Sequence, residues 1–409
     1  MYQVFKQILA DSGIDIKKVL GLGTDGASVM TGHLNGITAL IHEDNPFCVC
    51  VHCVCHRLNL AVSQSCKEID EMKTLITIVS YIYDYVSQSS KRASKLQDLN
   101  EILEEKNIKL KKIFEIRWLS MGDAVLAIIR NYEALLILTS EEAALGDPIA
   151  IGLHHQLSSY MFLAVMHLTS DILAETNHLS KIFQFRDVCF GSLRQSLFET
   201  ISSLQDIHEE NGTQTDKMER ELAAKEVDYF KSMKITYTAI RRGQPEQRQR
   251  FTEVKEELLD NLVANIKARF PQVDLFTAMQ IFEPASYPAV EENNLLTWGN
   301  QHLETLLNFY GIERTNQKGL RFPSMVDSAE CRAEFLPFKR LVMRNKGEQQ
   351  LGDDGKEHFH YYKPPELMQK LFGNAGQNQE IYPAMFRLMC FCLCILVGNA
   401  EAERVFSCQ

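Results

Sequence analysis

The sequence predicts an α/β beginning that gives way to a long helical body, in a chain that is predominantly helical overall. Three observations predict it. Two strand–helix alternations precede Met72, as a sheet with helical crossovers requires. From Met72 to about Pro288 the apolar spacing is long-period, with no strand punctuation. A strongly apolar run, "LMCFCLCILV" (Leu388 to Val397), then closes the chain as a buried element.

Taken in order, Tyr2 to Leu9 carries the spacing of an amphipathic helix, and "KKVLGLGTD" reads as a short strand ending at an acid. "NGITALIHED" suits a short helix. "FCVCVHC" alternates and suits a buried strand, and "HRLNLAVSQSCKEI" returns to helical spacing. Helices are predicted over Gln156 to Phe185, Phe190 to Ile207, Met218 to Ile240 and Gln249 to Phe270. Breaks fall at "GDP" (Gly146 to Pro148), "EENGTQTD" (Glu209 to Asp216) and "RRGQPEQ" (Arg241 to Gln247). "NKGEQQLGDDGKEHFHYYKPPE" reads as an exposed loop. There is no internal repeat and no low-complexity tract.

The 409 residues suffice for one large domain or two to three ordinary ones, and 45% hydrophobic residues allow a sizeable core. With 43 basic and 53 acidic residues the net charge is −10, which argues against a surface coated for bulk nucleic-acid binding but leaves room for a local basic groove. Eleven cysteines are too few for a disulfide scaffold in so long a chain. "MYQVFKQILADSG" lacks the apolar core of a signal peptide, so a reducing compartment, cytosol or nucleus, is expected. "LMCFCLCILV" is too short to span a bilayer, and no membrane partner is expected.

Four stretches carry candidate chemistry. "GLGTDGASVMTG" (Gly21 to Gly32) lacks the lysine of a phosphate-binding loop. Gly21, Gly23 and Gly26 match the dinucleotide spacing, but the first two fall where the strand should be. Asp25 either presents a carboxylate at the sheet's carboxyl edge or, with Ser28, caps the next helix. "CVCVHCVCH" places four cysteines and two histidines within nine residues. Structural zinc wants two ligand pairs separated by a loop, so zinc is disfavoured. Cys48 and Cys50 share one strand face as small core hydrophobes, while Cys53 and His56, three apart at a strand-to-helix turn, form a local brace. "IRWLSMGDAV" follows lysines at 106, 109, 111 and 112. Lys111, Lys112, Arg117 and Trp118 together can hold phosphates and stack a base, the alternative being a core tryptophan at a helix start. Arg241, Arg242, Arg248 and Arg250 form a second basic cluster, read as a solvated corner. In "NAEAERVFSCQ", Glu401 and Glu403 follow an apolar element, with a charged helix end as the plain alternative.

In this order, "GLGTDGASVMTG", Cys53-x-x-His56 with "RLNLAV", "RWLS" (Arg117 to Ser120) and "AERVFS" resemble the hAT superfamily of DNA transposases, closest to its domesticated vertebrate zinc-finger-type members. Each motif alone is weak; the ordered set spans nearly the whole chain. The resemblance implies a partial RNase H-like core interrupted by a large all-α insertion. The stretches are then 1–125 for the core, 126–375 for the insertion, and 376–409 for the return to the core and the start of a dimerisation region. It implies an Asp-Asp-Glu site for two divalent ions, Mg²⁺ or Mn²⁺, with Asp25 as the second aspartate and Glu403 as the glutamate. Trp118 matches the tryptophan that stacks on a flipped base, and Cys53 and His56 match the family's C-x-x-H feature.

The resemblance also places the first aspartate on a strand well upstream, whereas 24 residues precede Asp25 and Asp15 sits too close to replace it. The expectation is a core clipped at both ends, without the first strands or a BED-type zinc finger. It would be a catalytically inactive, transposase-derived nuclear protein that binds DNA, a protein partner or a second copy of itself, and no small-molecule substrate. The alternatives are an active metal-dependent transposase or nuclease with an incomplete gene model, and a zinc-binding structural module.

Overall fold

In the computed structural model the chain opens with helix α1 (Tyr2–Asp11). The Asp44 carboxylate anchors this helix, accepting the Tyr2 hydroxyl at 2.7 Å and the Lys6 ammonium at 2.8 Å. The structure describes residues 1–24, 26, 28–32, 36–106, 108–112, 118–184, 190–224, 229–231, 233–236, 244–270, 273–288, 292–351, 356–373 and 377–395. A single tight turn, Ile16–Lys18, leads into strand β1 (Gly21–Thr24). The lysines and Val19 that sequence reasoning gave to the strand thus precede it, because the Asp15 carboxylate accepts the Lys17 amide at 2.9 Å and closes the turn.

Helices α2 (Ser28–Thr31) and α3 (Ile37–Asp44) then cross over to β2 (Val49–His52), and α4 (Val54–Lys67) follows. The strands pair in parallel, Gly21 opposite Val49 and Thr24 opposite His52, which a tight hairpin cannot connect. Asn45 fixes the crossover. Its buried amide donates to the carbonyls of Ile16, Lys17 and Val19 at 3.2, 3.1 and 2.9 Å, and its carbonyl oxygen accepts the Phe47 amide at 3.1 Å. Ile37, Ile41, Cys48 and Cys50 form a core on which Tyr2, Phe5, Leu22 and Met30 pack. Val49 and Val51 are buried as well, so β2 has no solvent face and reads as a near-continuous apolar run.

The helical body comprises α5 (Asp70–Ser87), α6 (Ser90–Ile102), α7 (Trp118–Arg130), α8 (Tyr132–Ala144), α9 (Pro148–Leu157), α10 (Tyr160–Gln184), α11 (Phe190–Glu209) and α12 (Thr213–Ala224). At "GDP" Asp147 caps α9, accepting the amides of Ile149 and Ala150 at 2.9 and 3.3 Å, with Pro148 in the first turn. Asp171, buried on α10, accepts the Gln214 and Thr215 amides at 2.8 and 2.9 Å and so caps α12 from outside it.

The helix predicted over Met218 to Ile240 is corrected: α12 stops at Ala224, and β3 (Tyr229–Phe230) pairs antiparallel with β4 (Met233–Lys234). The stretch is rich in aromatic and β-branched residues, and Phe230 is buried edge-on against Tyr132 and His167. Thr236 completes the join by exchanging backbone hydrogen bonds with Ser158 and Tyr160 at 2.7 and 3.0 Å. Helix α13 (Gln244–Arg269) follows.

The remainder holds α14 (Val273–Ala278), α15 (Glu292–Thr297), α16 (Asn300–Tyr310), the short pair β5 (Arg314–Thr315) and β6 (Arg321–Phe322), and α17 (Ser328–Arg344). Then come β7 (Gly347–Leu351), β8 (Glu357–Tyr361), α18 (Pro364–Phe372), α19 (Gln377–Ile381) and α20 (Pro383–Leu393). The stretch read as an exposed loop is an exposed antiparallel hairpin, Gly347 opposite Tyr361 and Leu351 opposite Glu357. Its polar composition hid the alternation of two strands.

The chain is predominantly helical, and each sheet among the described residues has two strands. It divides into two compact units: Met1–Arg57, Lys181–Leu197 and Phe270–Gln409 form one, and Leu58–Ser180 with Phe198–Arg269 the other. Both ends of the chain therefore contribute to the first unit. Among the described residues no helix is long and apolar enough to cross a membrane.

Candidate functional site

The carboxyl end of the β1–β2 pair is where the sequence placed its principal acid. Asp25 itself lies outside the described residues, as do Arg117 and Glu403. What is described is the frame around position 25. Thr24, buried at the end of β1, accepts the Cys53 amide on its carbonyl at 2.9 Å, extending the ladder one step beyond His52. Its hydroxyl is buried and has no hydrogen-bond partner among the described residues. Cys53 is buried, and its carbonyl accepts the Arg57 amide at 2.9 Å to start α4.

The two histidines meet at this turn. His52 and His56 are half-buried, their ring centroids 5.0 Å apart and tilted by 41°. Gly26 sits against both rings: a β-carbon there would lie 2.6 Å from His52 Nε2 and 2.9 Å from His56 Nε2. A side chain at position 26 would thus press on both imidazoles. His56, read as half of a brace with Cys53, faces His52. Sequence reasoning passed over His52; the signal that would have found it is strand register, which sets it opposite Thr24.

The other end of β1 meets the last described segment. A β-carbon on Gly21 would lie 2.1 Å from the carbonyl oxygen of Cys394, so only glycine lets that backbone approach. The last described segment, Cys394 and Ile395, therefore runs beside the first residue of β1.

The aromatic and basic candidates belong to the other unit. Trp118 opens α7. Lys111 and Lys112 are exposed, and Lys111 pairs with Asp123 at 2.6 Å. An exposed pair of this kind contributes little stability, so the lysine remains available to an anion. In the second basic cluster, Arg250 donates two hydrogen bonds to the Glu71 carboxylate at 2.8 and 3.0 Å, and Arg248 pairs with Glu219. These arginines serve as internal ties; Arg241 and Arg242 lie outside the described residues.

The described side chains at the strand end, one hydroxyl and two imidazoles, do not make a magnesium site, which takes carboxylate and water oxygens. Among the described residues no group of three histidine, cysteine or acidic side chains is placed to hold a metal ion, and no disulfide is formed. What the arrangement offers is a tightly packed strand end with two hydrogen-bonding rings beside position 25. No family model matches the chain.

Proposed function

We propose that this chain is a transposase-derived nuclear protein of hAT type, built on an RNase H-like core, that binds nucleic acid and a protein partner or second copy without cleaving DNA. The observation that carries the reading is the approach of Cys394 to Gly21. It sets the described segment that precedes "AERVFS" beside the first residue of the strand that precedes "TDGAS", which supports a core built from both parts of the chain, as the resemblance implies. The parallel pairing of β1 and β2 and the order of motifs along the chain support the same reading.

The test is to incubate the purified chain with duplex DNA carrying hAT-like ends and Mg²⁺ or Mn²⁺, following binding by anisotropy and cleavage on a gel. Binding without cleavage is expected. Replacing Lys111 and Lys112 together by alanine should reduce the salt slope of binding by about 2. Cleavage that disappears in Asp25→Ala overturns the inactive reading, and absence of any salt-dependent binding overturns the nucleic-acid reading.

A further inference from the structure

The hairpin of β7 and β8 meets solvent on both faces. Of its strand residues only Gly347 and His360 are partly shielded, and the others are exposed. Polar side chains suit such a surface, yet Phe359 and Tyr361 stand on it 41% and 43% exposed. They are two residues apart and so share one face of β8. Their ring centroids lie 4.9 Å apart, with the planes at 74°. Opposite them on β7 stand Gln349 and Gly347. A β-carbon on Gly347 would lie 2.8 Å from the Phe359 ring, so the glycine gives that ring its seat. Two large aromatic surfaces are thus held together in water, in a corner open to a flat ligand.

Cations flank this corner. The Lys346 ammonium lies 5.6 Å from the Phe359 ring centroid and 5.9 Å from that of Tyr361. The Lys370 ammonium lies 5.9 Å from the ring of Tyr362, the next residue. Arg340 and Arg344, one turn apart at the end of α17, are exposed shortly before β7 begins. None of these four forms an ion pair among the described residues. The neighbouring acids are engaged or lie further along. Glu348 accepts the Tyr362 hydroxyl at 2.7 Å and Glu366 accepts the Lys363 amide at 2.8 Å. Glu357 stands opposite Leu351, at the turn end of the hairpin. An exposed contact between a cation and a ring is weak, so a phosphate can draw the Lys346 ammonium to itself.

We propose that this face of the hairpin binds single-stranded DNA, with Phe359 and Tyr361 stacking on unpaired bases and Lys346, Lys370 and Arg344 holding the flanking phosphates. Every base presents a π-face, and only an unpaired base leaves it free for a side chain, so stacking of this kind selects single strands with little regard to sequence. Aromatics at alternate positions of an exposed strand offer such a platform. The cations beside the rings complement a phosphodiester backbone, which an apolar protein partner lacks. Gly347 and Leu351 share the face with the rings and offer a ribose 2′-hydroxyl no side-chain partner, which favours deoxyribose. Lys111 and Lys112 belong to the other compact unit, so the inference does not rest on the contact proposed for them above.

The experiment titrates the full chain into a fluorescein-labelled oligothymidylate of about 20 nucleotides and follows anisotropy at several salt concentrations. Binding is expected. Phe359→Val with Tyr361→Val, which keeps strand-forming residues in β8, should weaken it at least about tenfold. Lys346→Gln should lower the salt slope by about 0.7. Replacing Lys111 and Lys112 by alanine should leave this binding unchanged. Tyr361→Trp should bind as the parent chain does, and the oligonucleotide should quench the added indole emission, which an aromatic that merely supports the hairpin would not show. Absence of binding, an affinity unchanged in the valine pair, an unquenched indole, or loss of binding in the Lys111 and Lys112 variant overturns the proposal. So does an equal loss for duplex and single strand in the valine pair. Tighter binding of oligouridylate than of oligothymidylate overturns the choice of DNA.

Discussion

The two ends of β2 start from nearly the same residues and arrive at different chemistry. At its beginning, Cys48 and Cys50 lie in the core under an exposed histidine, His42. At its end, His52 and His56 lie against each other and against Gly26, with Cys53 buried beside them. The nine residues "CVCVHCVCH" look like one metal-binding cluster when read as text. Chain geometry separates them: residues two apart in the strand share a face, and about 3.3 Å of rise per residue along β2, followed by the turn into α4, carries His52 and His56 away from the first thiol. What surrounds each end then decides its character, imidazole over thiols at one and imidazole on imidazole at the other.

The largest expected effect tests the thiol end. Contact with Cys48 and His42 holds Cys50 below the usual thiol range, whereas burial pushes Cys66 up to about 12, so at pH 7 Cys50 carries the larger thiolate fraction. Peptide mapping with iodoacetamide should show faster alkylation at Cys50 than at Cys66, with the Cys50 rate falling as the pH is lowered. In the window between about 6 and the usual thiol value, the native state has released the Cys50 proton and the unfolded state has kept it. Cys50 alone therefore makes stability rise with pH there and lose that increment as pH falls through about 6. His42, raised by the same contact, acts with the opposite sign, and Cys50→Ala should flatten both. Equal rates at Cys50 and Cys66 would erase the contrast between the two ends of the strand.

The packing of the same end gives the next effect. Asn45 → Ala removes three donations to the carbonyls ahead of β1 and the acceptance that positions Phe47, while Asn45 itself carries the carbonyl that accepts the Cys48 amide at 3.2 Å. Leaving buried carbonyls unpaired should cost about 2 to 3 kcal/mol in urea titration. It should also lower the alkylation preference for Cys50, because the turn that seats Cys48 is loosened. Gly21→Ala comes next, at about 2 kcal/mol. There the added carbon would lie 2.1 Å from a backbone oxygen, and backbone moves only with its neighbours.

Much of this was legible in the sequence, for physical reasons that differ by element. The helix-to-helix stop at "GDP" was readable because Asp147 and Pro148 act locally. The buried β2 was readable because both its faces are apolar. Stretches whose state is set by distant contacts were not. Phe230 leaves the helical pattern to bury itself against Tyr132 and His167, and the hairpin of β7 and β8 is polar along both strands, which conceals a period of two. The candidate site divides in the same way. The spacing of Cys53 and His56 was visible, whereas His52 depends on the register with β1 and His42 on the packing of α3 over β2. Both are relations between segments that periodicity does not encode.

The smallest expected effect addresses the histidine end, and it separates crowding by side chains from crowding by backbone. A β-carbon at Gly26 would come within 2.6 Å of the His52 ring and 2.9 Å of His56 Nε2, closer than any real contact, yet both obstacles are side chains that can turn away. Gly26→Ala should therefore cost about 1 kcal/mol, less than Gly21→Ala. If the imidazoles are the obstacle, removing one should return part of the loss. In a double-mutant cycle, His56→Ala should reduce the cost of Gly26→Ala by about 0.5 to 1 kcal/mol, the coupling expected of side chains in contact. His42→Ala, at the other end of the strand, should show none. A Gly26 substitution whose cost is the same with and without His56 would mean that the backbone at position 26, and not the imidazole pair, demands glycine, and that the two ends of β2 differ less than their histidines suggest.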